Sequence, residues 1–191
     1  MKKDNKFILF VGSMMSGKTS RMLMTLERYK YQNKKIIAFK PKIDDRYHPE
    51  DISSHMGWKY PAVTVSEGID ILKYLTTSNE IYDVIAIDEL FMIPGSADAL
   101  IWLFKRGFTI ISSSLELSSS GKPFEEVQKI MPYATQIEKC AAVCMVCGKD
   151  AFYTHRKSVD DMNEISVGGD DKYEPRCFEH FAPINKTSEL E

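Results

Sequence analysis

Residues 12–19 read Gly-Ser-Met-Met-Ser-Gly-Lys-Thr, two glycines with four residues between them, followed at once by a lysine and a threonine. This is the pattern of a phosphate loop. Glycine at the turns lets successive backbone N–H groups face one anion, and the N-terminus of a following helix adds partial positive charge. Lys18 reaches the outer phosphates and Thr19 offers its hydroxyl to magnesium. Gly12, Ser13, Met14, Met15, Ser16, Gly17, Lys18, Thr19 and Ser20 are thus the residues expected to grip a nucleoside triphosphate, ATP in the first instance.

Two further groups carry chemistry. Asp88 and Glu89 end the strongly apolar run Tyr82-Asp-Val-Ile-Ala-Ile-Asp88. An acid at the end of a buried strand suits a magnesium shell, and its neighbour can accept a proton from an attacking hydroxyl. On this reading Asp88 joins Thr19 at magnesium and Glu89 is the catalytic base; the alternative is a pair that only caps the next helix. Asp44, Asp45 and Arg46 form a second charged group, suited to a moving phosphoryl and its metal. Cys144-Met-Val-Cys147 and Cys177-Phe-Glu-His180 are two Cys-x-x-ligand knuckles, together the four donors that tetrahedral zinc prefers. With all four positions filled by protein, the zinc is expected to be structural. Cys140 falls off this pattern and reads as a buried thiol.

The elements that must position these groups follow from periodicity. A strand over 7–11 precedes the loop, and a helix over 18–33 follows it, with Met22, Leu23, Leu26 and Tyr29 on one face. Strands are expected at 35–39, 82–88, 108–111 and 135–139, with a weak one at 62–65. Helices are expected at 68–77, 96–106 with Ser96 as N-cap, and 125–131. Residues 40–61, broken by Pro41, Pro49 and Pro61, read as a long loop with irregular or short helical pieces. This alternation predicts an α/β fold: a mostly parallel P-loop sheet flanked by helices, with ligands at the carboxyl ends of its strands. Residues 1–139 would form that domain, 140–184 a small zinc-binding lobe, and 185–191 a frayed tail. Between the knuckles, Gly168 and Gly169 loosen a segment that looks like a lid. Its Tyr173 offers a ring for a base to stack on, or else packs against the zinc lobe.

Composition bounds the partners. The chain has 191 residues, 43% of them apolar and 27% charged, with a net charge of −2. That suits one good-sized core and gives no broad positive field for nucleic acid. No apolar run approaches the ~20 residues that span a bilayer, and the start does not read as a signal peptide, so a cytosolic location without membrane is expected.

In order and type, these motifs resemble the thymidine kinase family of the cellular, zinc-containing type, from Phe7 to His180. Its phosphate loop is similar to residues 12–19, its Asp-x-Arg-Tyr to Asp44-Asp-Arg-Tyr47, and its Ser-His-x-Gly to Ser54-His-Met-Gly57. Its Asp-Glu pair resembles Asp88-Glu89, and its Gly-Gly-x-Asp-Lys-Tyr lasso resembles Gly168 to Tyr173. The resemblance implies transfer of the ATP γ-phosphoryl to the 5′-hydroxyl of a deoxynucleoside, normally thymidine, by a homotetramer. Glu89 would be the base, Asp44 and Arg46 would attend the phosphoryl group, and Met14, Met92, Leu115, Ser119, Phe124, Val167, Gly168, Gly169 and Tyr173 would hold the nucleoside. Two segments depart from the pattern. Phe91 stands at a Gln position and Met92 at an aromatic one, while Ser119 stands where an aromatic normally packs on the nucleoside. Thymidine remains the first expectation, with deoxyuridine next. A relative with altered specificity, one that binds without turnover, and a zinc-bearing P-loop ATPase acting on nucleic acid are the alternatives.

Overall fold

The computed structural model describes residues 5–44, 50–54, 56–157, 165 and 167–182. Asp45, Arg46, His55 and the tail at 185–191 lie outside the described residues. The element order is β1 (Phe7–Gly12), α1 (Lys18–Tyr31), β2 (Ile36–Pro41), β3 (Asp51–Ser53), β4 (Lys59–Pro61), β5 (Val63–Val65), α2 (Gly68–Thr77), β6 (Val84–Ile87), α3 (Ser96–Lys105), β7 (Thr109–Ser114), α4 (Glu125–Ile130) and β8 (Gln136–Cys140). Four short strands follow: β9 (Ala142–Val143), β10 (Asp150–Ala151), β11 (Tyr153–Arg156) and β12 (Tyr173–Arg176).

Six strands form one parallel sheet in the order β5-β2-β6-β7-β1-β8. Its central strands β6 and β1 are almost wholly apolar because both faces are covered, as parallel sheets require, whereas β7 is apolar only at Ile110 and Ile111. On one face α1 turns Met22, Leu23 and Leu26 onto Ile8, Phe10, Ala38, Ala86 and Ile111. On the other face α2, α3 and α4 bury Ile71, Leu100, Leu103, Val127 and Ile130 against Phe7, Leu9, Ile85, Ile87 and Ile110. The carboxyl ends of β1, β6 and β7 therefore open on one edge, where the phosphate loop and the acidic pair both emerge.

Three local expectations are corrected. The segment read as irregular or helical contains an antiparallel hairpin, β3 with β4, pairing Asp51 with Pro61 and Ser53 with Lys59. Pro61 is tolerated at the end of a short strand, and Ile52 is fully buried beneath the hairpin. Strand β7 runs on past Ile111 through Ser112, Ser113 and Ser114, each 0% exposed, so a polar run that reads as a strand's end is its buried continuation.

Ser96 is not an N-cap. Gly95 takes that place at φ 73°, and Ser96 Oγ donates to Leu90 O at 3.3 Å. The first N–H groups of α3 are instead met from another helix. Glu126 of α4 accepts from Gly95 N at 3.0 Å and Ala97 N at 2.7 Å, doing at a distance in sequence what a local cap does next door. Glu126→Ala should therefore lower folding stability by about 1–2 kcal/mol. Urea unfolding of the two proteins at one pH measures the difference.

Candidate active site

Strand β1 delivers the chain into the loop at Gly12, whose φ is 144°. A Cβ there would stand 2.2 Å from Cys140 O, so only glycine lets the loop turn against the end of β8. Met15 at φ 62° and Gly17 at φ 77° complete the reversal before α1 begins. Ser16 Oγ and Lys18 Nζ both donate to Ser13 O, at 2.8 and 2.7 Å, which closes the loop around its own carbonyl. Burial pushes the Lys18 ammonium below its ordinary value, against the pull of Glu89, Asp88 and Glu116. A cavity of about 880 Å³ lies over the loop, large enough for a nucleotide. Met14 through Ser20 line it, with Asp44, Lys40, Asp88 and Glu89 opposite, whereas Gly12 and Ser13 form the underside of the loop.

Asp88 follows β6 directly and is held from two sides. Thr19 Oγ1 donates to its carboxylate at 3.1 Å, and Ser113 Oγ, from the neighbouring β7, donates to Oδ1. Burial and the adjacent Glu89 carboxylate raise the Asp88 pKa to about 7, although both hydroxyls and Lys18 favour its charge. Thr19 and Asp88 thus present a hard-oxygen pair of the type magnesium takes beside a phosphate. Glu89 adopts φ 49° and ψ 46° and makes no side-chain cap hydrogen bond to the 3-10 turn Leu90–Met92 that it precedes. A left-handed glutamate costs of order 1 kcal/mol and turns the chain sharply at the site. This acid is not a capping residue.

A second, much smaller space of about 30 Å³ adjoins the first. Met14, Met92, Leu115, Ser119, Phe124, Gly168 and Tyr173 line it, as expected of a nucleoside site, together with Phe91, Ser118 and Thr154. Val167 and Gly169 do not line it. Met14 and Glu89 border both spaces. Tyr173 is buried with its ring on the slot, and its hydroxyl accepts from Arg156 Nη2 at 3.0 Å. The two departures from the family pattern meet here. The ring missing at Ser119 is matched by an extra ring at Phe91, 4.4 Å from Phe124 by centroids.

Donor atoms of Cys144, Cys147, Cys177 and His180 all lie within 4.8 Å of one another. Cys147 Sγ and Cys177 Sγ are 3.7 Å apart, and Cys144 Sγ is 3.7 Å from His180 Nδ1. A tetrahedron with Zn–S of about 2.3 Å has edges of about 3.8 Å, so the group could hold zinc as it stands. Burial opposes ionisation of Cys144, but the backbone N–H groups of Cys177, Val146 and Cys147 outweigh it and bring the thiol to about 5. The thiolate is the form a metal binds. Cys140 is buried at the end of β8, apart from this group. The lobe also reaches the phosphate loop: Ser13 Oγ donates to Ala151 O at 3.1 Å, and Met14 N donates to Thr154 Oγ1 at 3.0 Å.

A family model described as thymidine kinase matches residues 5–181, nearly the whole chain. The chain belongs to the thymidine kinase family. It is a kinase, and the family's activity on deoxynucleosides accords with an anion cradle beside a slot lined by rings. Lys40, Phe91, Ser113, Ser118, Thr154 and Arg156 are among the side chains of this site that sequence reasoning missed. Ser113 sits in a serine run after an apolar strand, and Thr154 and Arg156 alternate along β11, signals too common to single out without their partners. Among the described residues no helix is long and apolar enough to cross a membrane.

Two outcomes follow for this member of the family. In the unfolded chain Asp88 ionises near 3.8, but in the ligand-free fold only near 7. Between these values the folded state binds more protons, so this group's contribution to stability falls as pH rises from about 4 to about 7 and is level above. Asp88→Asn should gain on the wild type across that window without nucleotide or divalent metal, as read by thermal unfolding at a series of pH values. Second, because Ser13 and Met14 are tied to β10 and β11, stripping metal from zinc-loaded protein should weaken ATP binding as well as nucleoside binding. Calorimetry with ATP alone, before and after chelation, measures this, and unchanged ATP affinity would refute it.

Proposed function

We propose that the chain transfers the γ-phosphoryl group of ATP to the 5′-hydroxyl of a deoxynucleoside, thymidine before deoxyuridine, as a step of nucleotide salvage. The observation that carries this reading is that Glu89 borders both the large cavity and the ring-lined slot. A base must touch the acceptor while facing the donor, and Glu89 has that position.

The proposed roles are these. Loop N–H groups and Lys18 hold the triphosphate, with Lys18 leaving Ser13 O for the outer phosphates. Thr19 and Asp88 hold magnesium, which neutralises charge on the phosphates when bound. Glu89 takes the hydroxyl proton as the oxygen attacks the γ-phosphorus in line and the bond to the ADP oxygen breaks. Asp44 borders the cavity, and Arg46, beside it in sequence, is assigned to the moving phosphoryl. Leu115, Phe124 and Tyr173 clasp the base, with Met14, Met92, Ser119 and Gly168 around it. Zinc at Cys144, Cys147, Cys177 and His180 is structural. A cytoplasmic homotetramer without nucleic-acid or membrane partners completes the reading, by likeness to the family.

Glu89→Gln keeps the size and hydrogen bonding of the side chain but not its basicity. Turnover should fall by about 10²-fold or more while ATP affinity stays within a factor of about two. Monophosphate formed from ATP and each deoxynucleoside in turn, for wild type and variant, tests both reaction and base. Equal turnover in the two proteins would remove Glu89 from the role.

A further inference from the structure

The slot assigned to the acceptor is too small for it. Ligand pockets usually enclose about 300 Å³ or more, and this one offers about 30 Å³, roughly the room of a single water. Something that lines it must move before a nucleoside can enter, and most of its walls are fastened. Met14 is fixed through its N–H to Thr154, and Tyr173 through its hydroxyl to Arg156. Phe124 is held by its N–H to Glu116 O at 3.1 Å, where α4 starts. Leu115 follows directly on the central strand β7.

Phe91 is anchored by its main chain as Met14 and Phe124 are, and stands out by its type, a ring where the family pattern has Gln. Its backbone N–H is anchored to Ser114 Oγ at 3.1 Å, so the main chain stays put, but its ring lies in the slot with an apolar contact to Phe124 as its partner there. The ring centroids are 4.4 Å apart with the planes tilted by 36°, an ordinary offset arrangement that one side-chain rotation undoes. Phe91 also rides on the same short turn as Glu89, two residues from the carboxylate that borders both spaces.

Resting on the phosphotransfer reading above, we propose that Phe91 plugs the acceptor slot and admits a deoxynucleoside only when its ring leaves Phe124. Separating the two rings costs the same for every acceptor, so the plug lowers acceptor affinity by a common factor and keeps the slot closed to water until an acceptor binds. Rotation about the Phe91 side chain leaves the anchor to Ser114 intact. The donor cavity does not include Phe91 among its walls, so ATP binding is independent of the plug.

The test is thymidine binding by calorimetry to wild type, Phe91→Ala and Phe91→Leu, alongside ATP binding to each. Leucine keeps an apolar core side chain if alanine proves too disruptive to fold. Expected is thymidine affinity at least tenfold tighter in both variants, or in the leucine variant alone if the other does not fold, with ATP affinity unchanged. A ring that merely supports the fold would leave thymidine affinity unchanged or weaken it, and either result overturns the proposal. Because binding is measured without turnover, the plug and the reaction fail separately. Tighter thymidine binding with no monophosphate from any variant would keep the plug and refute phosphotransfer, whereas turnover with unaltered thymidine affinity would refute the plug alone.

Discussion

Everything at this site depends on one buried carboxylate. Asp88 is stripped of water at the end of β6, and ionising it there is unfavourable unless donors are supplied. They come from two other elements: Thr19 lies in the first turn of α1, and Ser113 lies near the end of β7. The phosphate loop, the helix behind it and two central strands are therefore locked in one arrangement by a single side chain. Without a cation the arrangement leaves the carboxyl about half protonated at pH 7. Charge added nearby, by a metal with its triphosphate, is what would complete it.

The zinc lobe is more than an appendage. Its own apolar cluster consists of Ala142, Cys144, Ala151 and Cys177, too little burial to hold four short strands in place. A metal held by the four donors, uniting the turn after β9 with the turn after β12, would supply what the core does not. The lobe then lends its rigidity outward. Ala151 and Thr154 take hydrogen bonds from Ser13 and Met14, while Tyr173 closes the slot from the same strands. One set of ligands thus steadies a wall shared by both parts of the site.

The slot shows how two substitutions that look like losses read differently in space. Along the chain, Met92 and Ser119 each stand at a usually aromatic position, which weakens the expectation of a tight nucleoside pocket, while Phe91 stands at a Gln position. In the fold they line one space, and the ring absent from one wall is present on the other. The consequence is a different kind of pocket, closed by a movable ring, and not merely a looser one.

The chemistry was legible in the sequence wherever it rests on local order. Backbone turns, helix starts and paired knuckles need particular residues at fixed short spacings, so Gly12 to Thr19, Asp88-Glu89 and the Cys-x-x-ligand pairs announced themselves. So did most of the parallel sheet, because strands buried on both faces are mainly apolar. The hairpin over 51–61, the buried run Ser112 to Ser114 and the capping of α3 by Glu126 were hidden for the opposite reason. A polar residue can be buried when its partner arrives from elsewhere in the chain, and sequence does not show who that partner is. Sequence by itself determined the fold class and the family, and it singled out the candidate reactive groups. Only the tertiary structure decided that Ser113 serves Asp88, that Thr154 holds the loop, and that Phe91 fills the slot, because each is a meeting of segments far apart in the chain.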